Sequence, residues 1–438
     1  MRIEELKDKK ILILGFGREG RDTLSFLRKH FPKQEFGIAD QKASLEIHGR
    51  GVKLHLGKFY LKSLRKYDVI IKSPGISQRI IAPHIGNKQR ITSQTAIFFA
   101  NCKGIIIGVT GTKGKSTTSS LIYHVLKKGG FRSYLIGNIG KPVLSLLSRT
   151  KKEDIFVYEL SSFQLGNLSQ SPHIAVLLNL YPEHLDYYRG FQEYAEAKAT
   201  ITMYQGKNDI LIFNAKDLTV AKIASKSKAK RIPFKLGNLV SKYLETKFPN
   251  RSGPIIASQE PAVIIGKLYK IPQAVIENAI LSFKPLPHRL EKVGEWKGIS
   301  FVNDSLATIP EATIAALDVL EPKVGTLIAG GLDRNISFQA LSNRIAKSNI
   351  KTLILFPQTG KKILQGIRKP PFAFHGKERR TFFVQDMKEA VKIAYLHTLQ
   401  GNVCLLSPAA PSFNLFRDYK DRGDQFTKWA KIYGKKNS

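Results

Sequence analysis

Short apolar runs alternate along the chain with segments in which apolar residues recur every three or four positions. The runs favour β-strands, and the amphipathic segments between them are typical of helices. Strands that alternate with helices predict parallel sheets covered on both faces, so the expected fold class is α/β. The expected strands include residues 11–14, 105–109, 155–158, 174–178, 210–213, 326–329, 352–356, 382–384 and 403–406.

The alternation predicts three α/β domains in series. We expect an N-terminal Rossmann-like domain at 1–92, a central phosphate-loop domain with a parallel sheet at 93–285, and a C-terminal Rossmann-like domain at 286–438. The last boundary falls in a Lys-Pro-Leu-Pro segment, whose prolines disfavour helix. The basic, irregular stretch 216–251 has a pattern that is hard to interpret. A helix should begin at Asp386, with Glu389 completing a capping box.

A glycine loop follows the apolar run that ends at Val109 and precedes an amphipathic segment. Its residues are TGTKGKST. Gly111 and Gly114 would let backbone N–H groups approach phosphate oxygens, at a helix N-terminus that favours negative charge. Lys115 would reach the outer phosphates and Ser116 would ligate Mg²⁺. Val109 stands where the full motif has its first glycine, so a chance glycine turn is the alternative to an ATP-using enzyme.

A second glycine pattern, GFGREG from Gly15, follows the first apolar run, and Asp40 closes the next strand-like run. Such glycines permit close approach of a phosphate, and the acid suits a ribose hydroxyl, as in dinucleotide-binding sites. Another nucleotide diphosphate would suit the pattern equally well. Ser73-Pro74-Gly75 predicts a turn at the end of a later strand.

Polar residues follow several other predicted strands, at the edge where parallel sheets hold ligands. Glu159 is placed to hold Mg²⁺ beside the phosphates, although its segment also fits the capped start of a helix. His184 would ligate a second cation or serve as a polar loop residue. From sequence alone, Lys198 is predicted to be an exposed lysine on a helix.

The last third of the chain carries four more polar clusters after apolar strands or turns. We expect them to form a site that faces the phosphate loop. The clusters are 286–289, 303–305, 330–334 and 406–413.

Composition limits the function classes. The formal net charge is +36, but the basic residues are spread along the chain and no nucleic-acid-binding motif is found. We therefore expect nucleic-acid binding not to be the main function. No apolar run reaches transmembrane length, the N-terminus lacks a signal-peptide core, and the two cysteines lack metal-type spacing. A cytoplasmic protein without membrane insertion is expected.

These motifs together resemble the Mur ligase family, the ATP-dependent amino-acid ligases of peptidoglycan precursor synthesis. The resemblance spans nearly the whole chain. It rests on the segments GVTGTKGKST, ELSSFQL, LPHR, NDS, LLSPA and RGDQF, in chain order. It is strongest to the members that add D-glutamate to UDP-N-acetylmuramoyl-L-alanine, and it implies three α/β domains with ATP bound between the second and third.

The resemblance also implies a mechanism. A substrate carboxylate attacks the γ-phosphate of ATP, and an amine then displaces phosphate from the acyl phosphate. Lys115 would neutralise phosphoryl charge. Ser116 and Glu159 would hold one Mg²⁺ and His184 a second, near Lys198, which matches the lysine that the family carbamylates. Catalytic roles are thus implied for Lys115, Glu159, His184 and Lys198.

The resemblance assigns ligand contacts residue by residue. Expected contacts to ATP are Gly111, Thr112, Lys113, Gly114, Lys115, Ser116, Thr117, Asn138, His288, Arg289 and Asp304. Expected contacts to the UDP substrate are Gly17, Arg18, Glu19, Asp40, Gln41, Ser73, Gly75, Asn138, Ser161 and Gln164. Expected contacts to the amino acid are Thr308, Arg334, Ser412, Phe413 and Tyr419.

The family usually functions as a monomer, and a monomer is expected here. Leu306 stands where the family usually has a lysine near the amino-acid carboxylates. A Mur-type ligase for another amino acid is therefore one alternative. A nucleotide- or nucleic-acid-binding protein without turnover, suggested by the basic charge, is another.

Overall fold

Three β-sheets follow one another along the chain in the computed structural model. The structure describes residues 1–47, 50–138, 143–183, 187–234, 253–283, 287–334, 336–367 and 379–435. Among these residues, contacts divide the chain into two compact units. The first unit comprises the described residues up to Phe283 except 253–256. The second unit comprises 253–256 and the described residues from Pro287 onward.

The first sheet is parallel and has the order β3-β2-β1-β4-β5. Its strands are β1 Ile11–Leu14, β2 Phe36–Asp40, β3 Val52–Leu56, β4 Val69–Lys72 and β5 Arg90–Thr92. The α-helices of this region are α1 Arg18–His30, α2 Gln78–Ile81 and α3 Gln94–Asn101. In α1, Leu24 and Leu27 are buried, so the helix has one apolar face.

The second sheet is also parallel, with the order β11-β10-β9-β6-β8-β7. Its strands are β6 Ile105–Thr110, β7 Ser133–Gly137, β8 Ile155–Glu159, β9 Ile174–Leu177, β10 Ile210–Asn214 and β11 Lys230–Phe234. Its helices are α4 Lys115–Lys128, α5 Leu144–Leu147, α6 Ser162–Leu165, α7 Phe191–Met203, α8 Leu218–Ser225, α9 Gly253–Leu268 and α10 Gln273–Ser282. Because β6 lies between β8 and β9, the ends of these three strands meet at one edge.

The third sheet has the order β12-β13-β17-β14-β15-β16, and only β12 runs antiparallel to its neighbour. Its strands are β12 Glu291–Trp296, β13 Ile299–Asn303, β14 Val324–Gly331, β15 Thr352–Gln358, β16 Arg380–Phe383 and β17 Val403–Leu406. Its helices are α11 Pro310–Leu320, α12 Gln339–Ala346, α13 Thr359–Ile367, α14 Met387–His397 and α15 Tyr419–Lys435. Apolar side chains are buried on both faces of this sheet.

The α/β fold class is confirmed, with helices between nearly all the parallel strands. In the stretch 216–251, whose pattern was hard to interpret, the structure has α8 and β11. Asp386 caps α14 as predicted, but Glu389 accepts from the N–H group of Gln385 rather than completing a capping box. The domain boundaries remain predictions, and the one at 285/286 lies outside the described residues.

Candidate active site

A tight backbone loop joins β6 to α4 at the carboxyl edge of the second sheet. Gly114 precedes α4 and has a φ angle of 85°, which glycine adopts without strain. A Cβ atom at Gly111 would lie 2.8 Å from the Cβ atom of Leu178, so a larger residue does not fit there. The helix begins at Lys115, and the N–H groups of a first helical turn suit a phosphate. The predicted strand, glycine loop and helix are confirmed.

Residues that follow β9, together with one from α7, hold this loop. The Asn179 side chain accepts from the Lys113 N–H group at 2.8 Å and donates to the Lys113 carbonyl at 3.1 Å. The hydroxyl groups of Thr112 and Tyr194 are 3.0 Å apart. The Lys113 ammonium pairs with the Glu183 carboxylate at 2.9 Å. Side chains outside the loop therefore fix its shape.

Glu159, at the end of β8, is fully buried. Its Oε1 atom accepts a hydrogen bond from the Asn138 side chain at 3.0 Å. Its Oε2 atom is buried and has no hydrogen-bond partner among the described residues. Because burying an unpartnered carboxylate oxygen is costly, this oxygen fits the predicted role of a cation ligand.

Ser116 and His184 are two further predicted metal ligands. Ser116 lies in the first turn of α4. His184 lies outside the described residues. No cluster of three or more His, Cys, Asp and Glu side chains suited to a metal ion occurs in the described part of the chain. Glu159 is therefore the carboxylate on which a cation site at this edge would depend.

Two lysines converge on one carbonyl oxygen of the phosphate loop. The Gly111 carbonyl accepts from the Lys115 ammonium at 2.9 Å and from the Lys198 Nζ atom at 3.0 Å. Lys198 also donates to the Thr110 hydroxyl at 3.2 Å. It is only 1% exposed, so its interpretation as an exposed helical lysine is wrong. The role that the family resemblance implied for Lys198 stays a prediction.

The environment of Lys198 favours the uncharged amine. Burial lowers the pKa of Lys198 well below its ordinary value, and repulsion from Lys115 acts in the same direction. Glu183 and Glu159 act in the opposite direction, and Lys113 lowers the pKa further. An uncharged lysine amine is a nucleophile, whereas an ammonium group is not.

In the first sheet, the residues predicted for the UDP site hold the glycine loop that follows β1. Asp40 accepts from the N–H groups of Phe16 at 2.7 Å and Lys42 at 3.0 Å. The Ser73 hydroxyl donates to the Gly15 carbonyl at 3.0 Å. The contact of Asp40 with a ribose hydroxyl stays a prediction. Two further predicted residues lie beside these contacts, Gln41 after β2 and Gly75 after β4.

Two residues of α1 connect this loop with the second sheet. Arg18 donates to the Gly137 carbonyl at 2.9 Å, and Glu19 accepts from the Gln164 side chain at 3.1 Å. Burial raises the pKa of Glu19. Ser161 and Gln164 also form a capping box at the start of α6, so the interpretation of this segment as a capped helix start is confirmed. The structure thus brings together predicted UDP residues from both sheets.

A buried lysine at the end of β4 was not predicted. Lys72 is 2% exposed and donates to the carbonyls of Ile76 at 2.6 Å and Ser73 at 3.2 Å. Burial lowers the pKa of Lys72 to about 8, although Glu19 acts in the opposite direction. Its only sequence signal was its place directly before the Ser-Pro-Gly turn.

In the second unit, predicted nucleotide residues surround the end of β13. His288 is buried and has a φ angle of 63°, which is uncommon for a residue with a side chain. Its Nδ1 atom lies 3.1 Å from the Asn303 side-chain nitrogen. Asp304 accepts from the Leu290 N–H group at 3.2 Å and the Ser407 hydroxyl at 2.8 Å. Arg289 is half-buried next to His288.

Among the residues predicted for the amino acid, Tyr419 contacts this group. Its ring centroid is 6.1 Å from that of His288, and its carbonyl accepts from the Ser305 hydroxyl at 2.8 Å. Ser412 is buried, whereas Phe413 is 61% exposed. The last two, Thr308 and Arg334, are half-buried and exposed, respectively. Their contacts with an amino acid stay predictions.

A buried arginine in this unit was part of a recognised segment but was assigned no role. Arg422 is 1% exposed. Its guanidinium donates to the Ser305 hydroxyl at 3.0 Å, the Ser305 carbonyl at 2.8 Å and the Ala410 carbonyl at 3.0 Å. It therefore connects the segment after β13 with the loop after β17. Sequence spacing alone does not predict that Arg422 spans these segments.

Comparison with known proteins places these observations in a family. Residues 109–253 match the Mur ligase middle domain, and residues 288–410 match the Mur ligase glutamate ligase domain. The UDP-N-acetylmuramoylalanine–D-glutamate ligase of Acetivibrio thermocellus is 34% identical, covering 97% of this chain and 96% of that protein. The enzyme of the same name from Clostridium botulinum strain Hall is 33% identical, covering 96% of each chain.

Two solved structures share the fold. MurF ligase from Thermotoga maritima, in complex with ADP, has a TM-score of 0.58 and 17% identity, covering 98% of this chain and 97% of its own. UDP-N-acetylmuramate-alanine ligase MurC from the same organism has a TM-score of 0.59 and 15% identity, covering 97% of this chain and 100% of its own. The solved structures show the fold alone, whereas the more similar sequence relatives also show the family. The chain belongs to the Mur ligase family, and it is an ATP-dependent amino-acid ligase of peptidoglycan precursor synthesis.

Proposed function

We propose that this enzyme joins D-glutamate to UDP-N-acetylmuramoyl-L-alanine, with ATP as the energy source. Support comes from relatives of that name, which align over nearly the full length of both chains. The observation that carries the chemistry is the edge of the second sheet. There the phosphate loop and the buried Glu159 follow two adjacent strands, β6 and β8. Lys115 and Lys198 both donate to the Gly111 carbonyl of that loop.

In the first step, a carboxylate oxygen of the UDP substrate attacks the γ-phosphorus of ATP, and the bond to the β–γ bridging oxygen breaks. The products are an acyl phosphate and ADP. Negative charge builds on the phosphoryl oxygens, so fixed cations and N–H donors lower the barrier. We assign Lys115 and the first turn of α4 to this task, with Gly111, Thr112, Lys113, Gly114, Ser116 and Thr117 lining the phosphates.

In the second step, the amine of D-glutamate attacks the acyl carbon and phosphate leaves with its shared oxygen. A proton is lost from the amine as the amide forms. We assign amino-acid contacts to Thr308, Arg334, Ser412, Phe413 and Tyr419. The basic Arg334 suits a carboxylate of the amino acid.

Mg²⁺ fits the residues at this edge. Ser116 and Glu159 would hold one Mg²⁺ and His184 a second, near Lys198, and these ions would neutralise phosphoryl oxygens when bound. The fit rests on Glu159, whose Oε2 atom is buried without a hydrogen-bond partner among the described residues.

We propose that Lys198 is carbamylated. Its amine is buried and favoured in the uncharged form, and such an amine can add to carbon dioxide, losing a proton and forming an anionic carbamate. The carbamate would supply oxygen ligands for a cation, which an amine or ammonium group does not provide. Repulsion between Lys198 and Lys115 would then become attraction.

For the nucleotides, we propose that Asn138, His288, Arg289 and Asp304 contact ATP. The glycine loop after β1 would hold the uridine diphosphate group. Its proposed contacts are Gly17, Arg18, Glu19, Asp40, Gln41, Ser73 and Gly75, with Asn138, Ser161 and Gln164. Asp40 and Ser73 both fix that loop in the structure.

The test supplies purified enzyme with ATP, Mg²⁺ and UDP-N-acetylmuramoyl-L-alanine, adds single amino acids, and follows ADP release and amide product. We expect D-glutamate to give both. Release of ADP with another amino acid but not with D-glutamate would contradict the proposed specificity.

Leu306 motivates the second candidate, a Mur-type ligase for another amino acid. Leu306 is half-buried and follows the Asp304–Ser305 segment. A Leu306→Lys variant provides the matched comparison. If D-glutamate is the substrate, this variant should retain D-glutamate as its preferred amino acid. An activity with D-glutamate that appears only in the Lys variant would favour the second candidate.

A further inference from the structure

Two helices of the second unit present a lysine-rich surface that has no assigned part in the ligase reaction. Helices α14 and α15 pack together there, and the Tyr395 hydroxyl donates to the Ala430 carbonyl at 2.6 Å. After Asp424, the rest of α15 contains Lys428, Lys431 and Lys435 and no acidic residue. All three of these lysines are exposed.

Two lysines, one from each helix, flank a single indole ring. The Lys388 and Lys428 Nζ atoms each lie 5.3 Å from the centroid of the Trp429 ring. Among the described residues, neither lysine forms an ion pair with a carboxylate. Two like charges on one half-buried tryptophan form a surface that attracts an anion.

Aliphatic side chains lie beside these charges on α14. The spacing of Lys388, Lys392 and Leu396 places them on one face of the helix. Leu399 lies just beyond the C-terminal end of the helix at His397. Leu396 is 68% exposed and Leu399 is 66% exposed. Exposed leucines among lysines, with tryptophan at the margin, are typical of surfaces that lie in a membrane interface.

We propose that this surface, formed by Lys388, Lys392, Leu396, Leu399, Lys428, Trp429, Lys431 and Lys435, binds the surface of an anionic lipid bilayer. The lysines would contact lipid phosphates, and the leucines would enter the interface between headgroups and acyl chains. A nucleic acid would satisfy the charges but would leave the two leucines without an apolar partner. Lipid therefore accounts for both features.

The test measures co-sedimentation of the full chain with vesicles of phosphatidylcholine and phosphatidylglycerol, against vesicles of phosphatidylcholine alone. We expect binding that depends on phosphatidylglycerol and falls with added salt. Lys388→Glu with Lys428→Glu should lower the affinity by roughly tenfold or more, since each lysine near such a surface contributes a factor of about five. Leu396→Ser with Leu399→Ser should weaken binding as well.

Lys151→Glu with Lys152→Glu is the charge-matched control, because both lysines are exposed before β8 in the other unit. This control should bind vesicles as the wild type does, and all variants should retain normal ADP release with substrates. Absence of phosphatidylglycerol-dependent binding would overturn the proposal. So would equal losses in the control, unchanged binding in the leucine variant, or tighter binding to duplex RNA than to anionic vesicles. Ligase activity is read separately, so either conclusion can fail alone.

Discussion

At the scale of single residues, the pair Lys115 and Lys198 shows how burial assigns different roles to two identical side chains. Both donate to the Gly111 carbonyl, but only Lys198 is fully buried. Water can still reach Lys115, which is half-buried, so its charge remains available to phosphates. Desolvation favours the uncharged amine at Lys198.

Replacing Lys198 tests its proposed carbamate. We expect Lys198→Ala to lower turnover by at least about 100-fold, because an anionic group would be lost beside the reacting phosphates. Added formate or acetate should restore part of the activity by entering the space of the lost side chain. Lys222→Ala, on the exposed side of α8, is the control. Unchanged turnover in Lys198→Ala would remove this residue from the site.

The buried Lys72 predicts a pH dependence of stability. Burial lowers the pKa of Lys72 to about 8 in the folded protein. Between pH 8 and the higher pKa of this lysine in the unfolded chain, the unfolded state therefore binds more protons than the folded state. The free energy of unfolding of the wild type should therefore rise, relative to Lys72→Met, between pH 7 and pH 10. The expected relative gain is on the order of 2 kcal/mol, measured by urea unfolding.

Lys53→Met is the control for this experiment, because Lys53 is exposed on β3. It should show the same pH dependence as the wild type. A difference between wild type and Lys72→Met that stays constant from pH 7 to pH 10 would mean that Lys72 does not titrate in this range.

At the scale of elements, the sequence predicted central strands better than edge strands. Central parallel strands are buried on both faces and form continuous apolar runs, as β6 and β9 do. Edge strands carry polar residues and are tolerant of proline. Strand β11, with the sequence KRIPF, contains Pro233 and lies at the edge of its sheet. This strand, with the edge strands β3, β5, β7 and β12, was not predicted.

The same limit applies to the site. Glycines and the Lys-Ser pair of the phosphate loop are recognisable because they are local in sequence. The partners that hold them are not local, since Asn179 and Tyr194 reach the loop only through the packing of β9 and α7. The role of Lys198 was predicted only from the family resemblance, because its contacts with Thr110 and Gly111 are likewise not local in sequence.

The hydrogen bonds between Asn179 and the Lys113 backbone predict that Asn179 holds the phosphate loop in the shape that binds ATP. Asn179→Ala removes two hydrogen bonds to the Lys113 backbone and should destabilise the fold by about 1–2 kcal/mol. Turnover should fall by about 10- to 100-fold, because a looser loop positions ATP less well. Steady-state kinetics and thermal unfolding measure these effects. Asn167→Ala, which alters an exposed asparagine, should change neither, and normal turnover in Asn179→Ala would contradict this role.

At the scale of the whole molecule, we propose that three α/β sheets contribute to separate parts of one reaction. The first carries the loop proposed for uridine diphosphate, the second the phosphate loop with Glu159, and the third the cluster around His288. No helix of the described residues is long and apolar enough to cross a bilayer.

The central claim is that the substrate carboxylate becomes an acyl phosphate before the amide bond forms. The most direct measurement uses UDP-N-acetylmuramoyl-L-alanine with ¹⁸O in its carboxylate, together with ATP and D-glutamate, and analyses the released phosphate by mass spectrometry. Attack of the carboxylate on the γ-phosphorus predicts one ¹⁸O atom in each phosphate, with the other left in the amide. Phosphate without the isotope, released while the amide forms, would contradict the account.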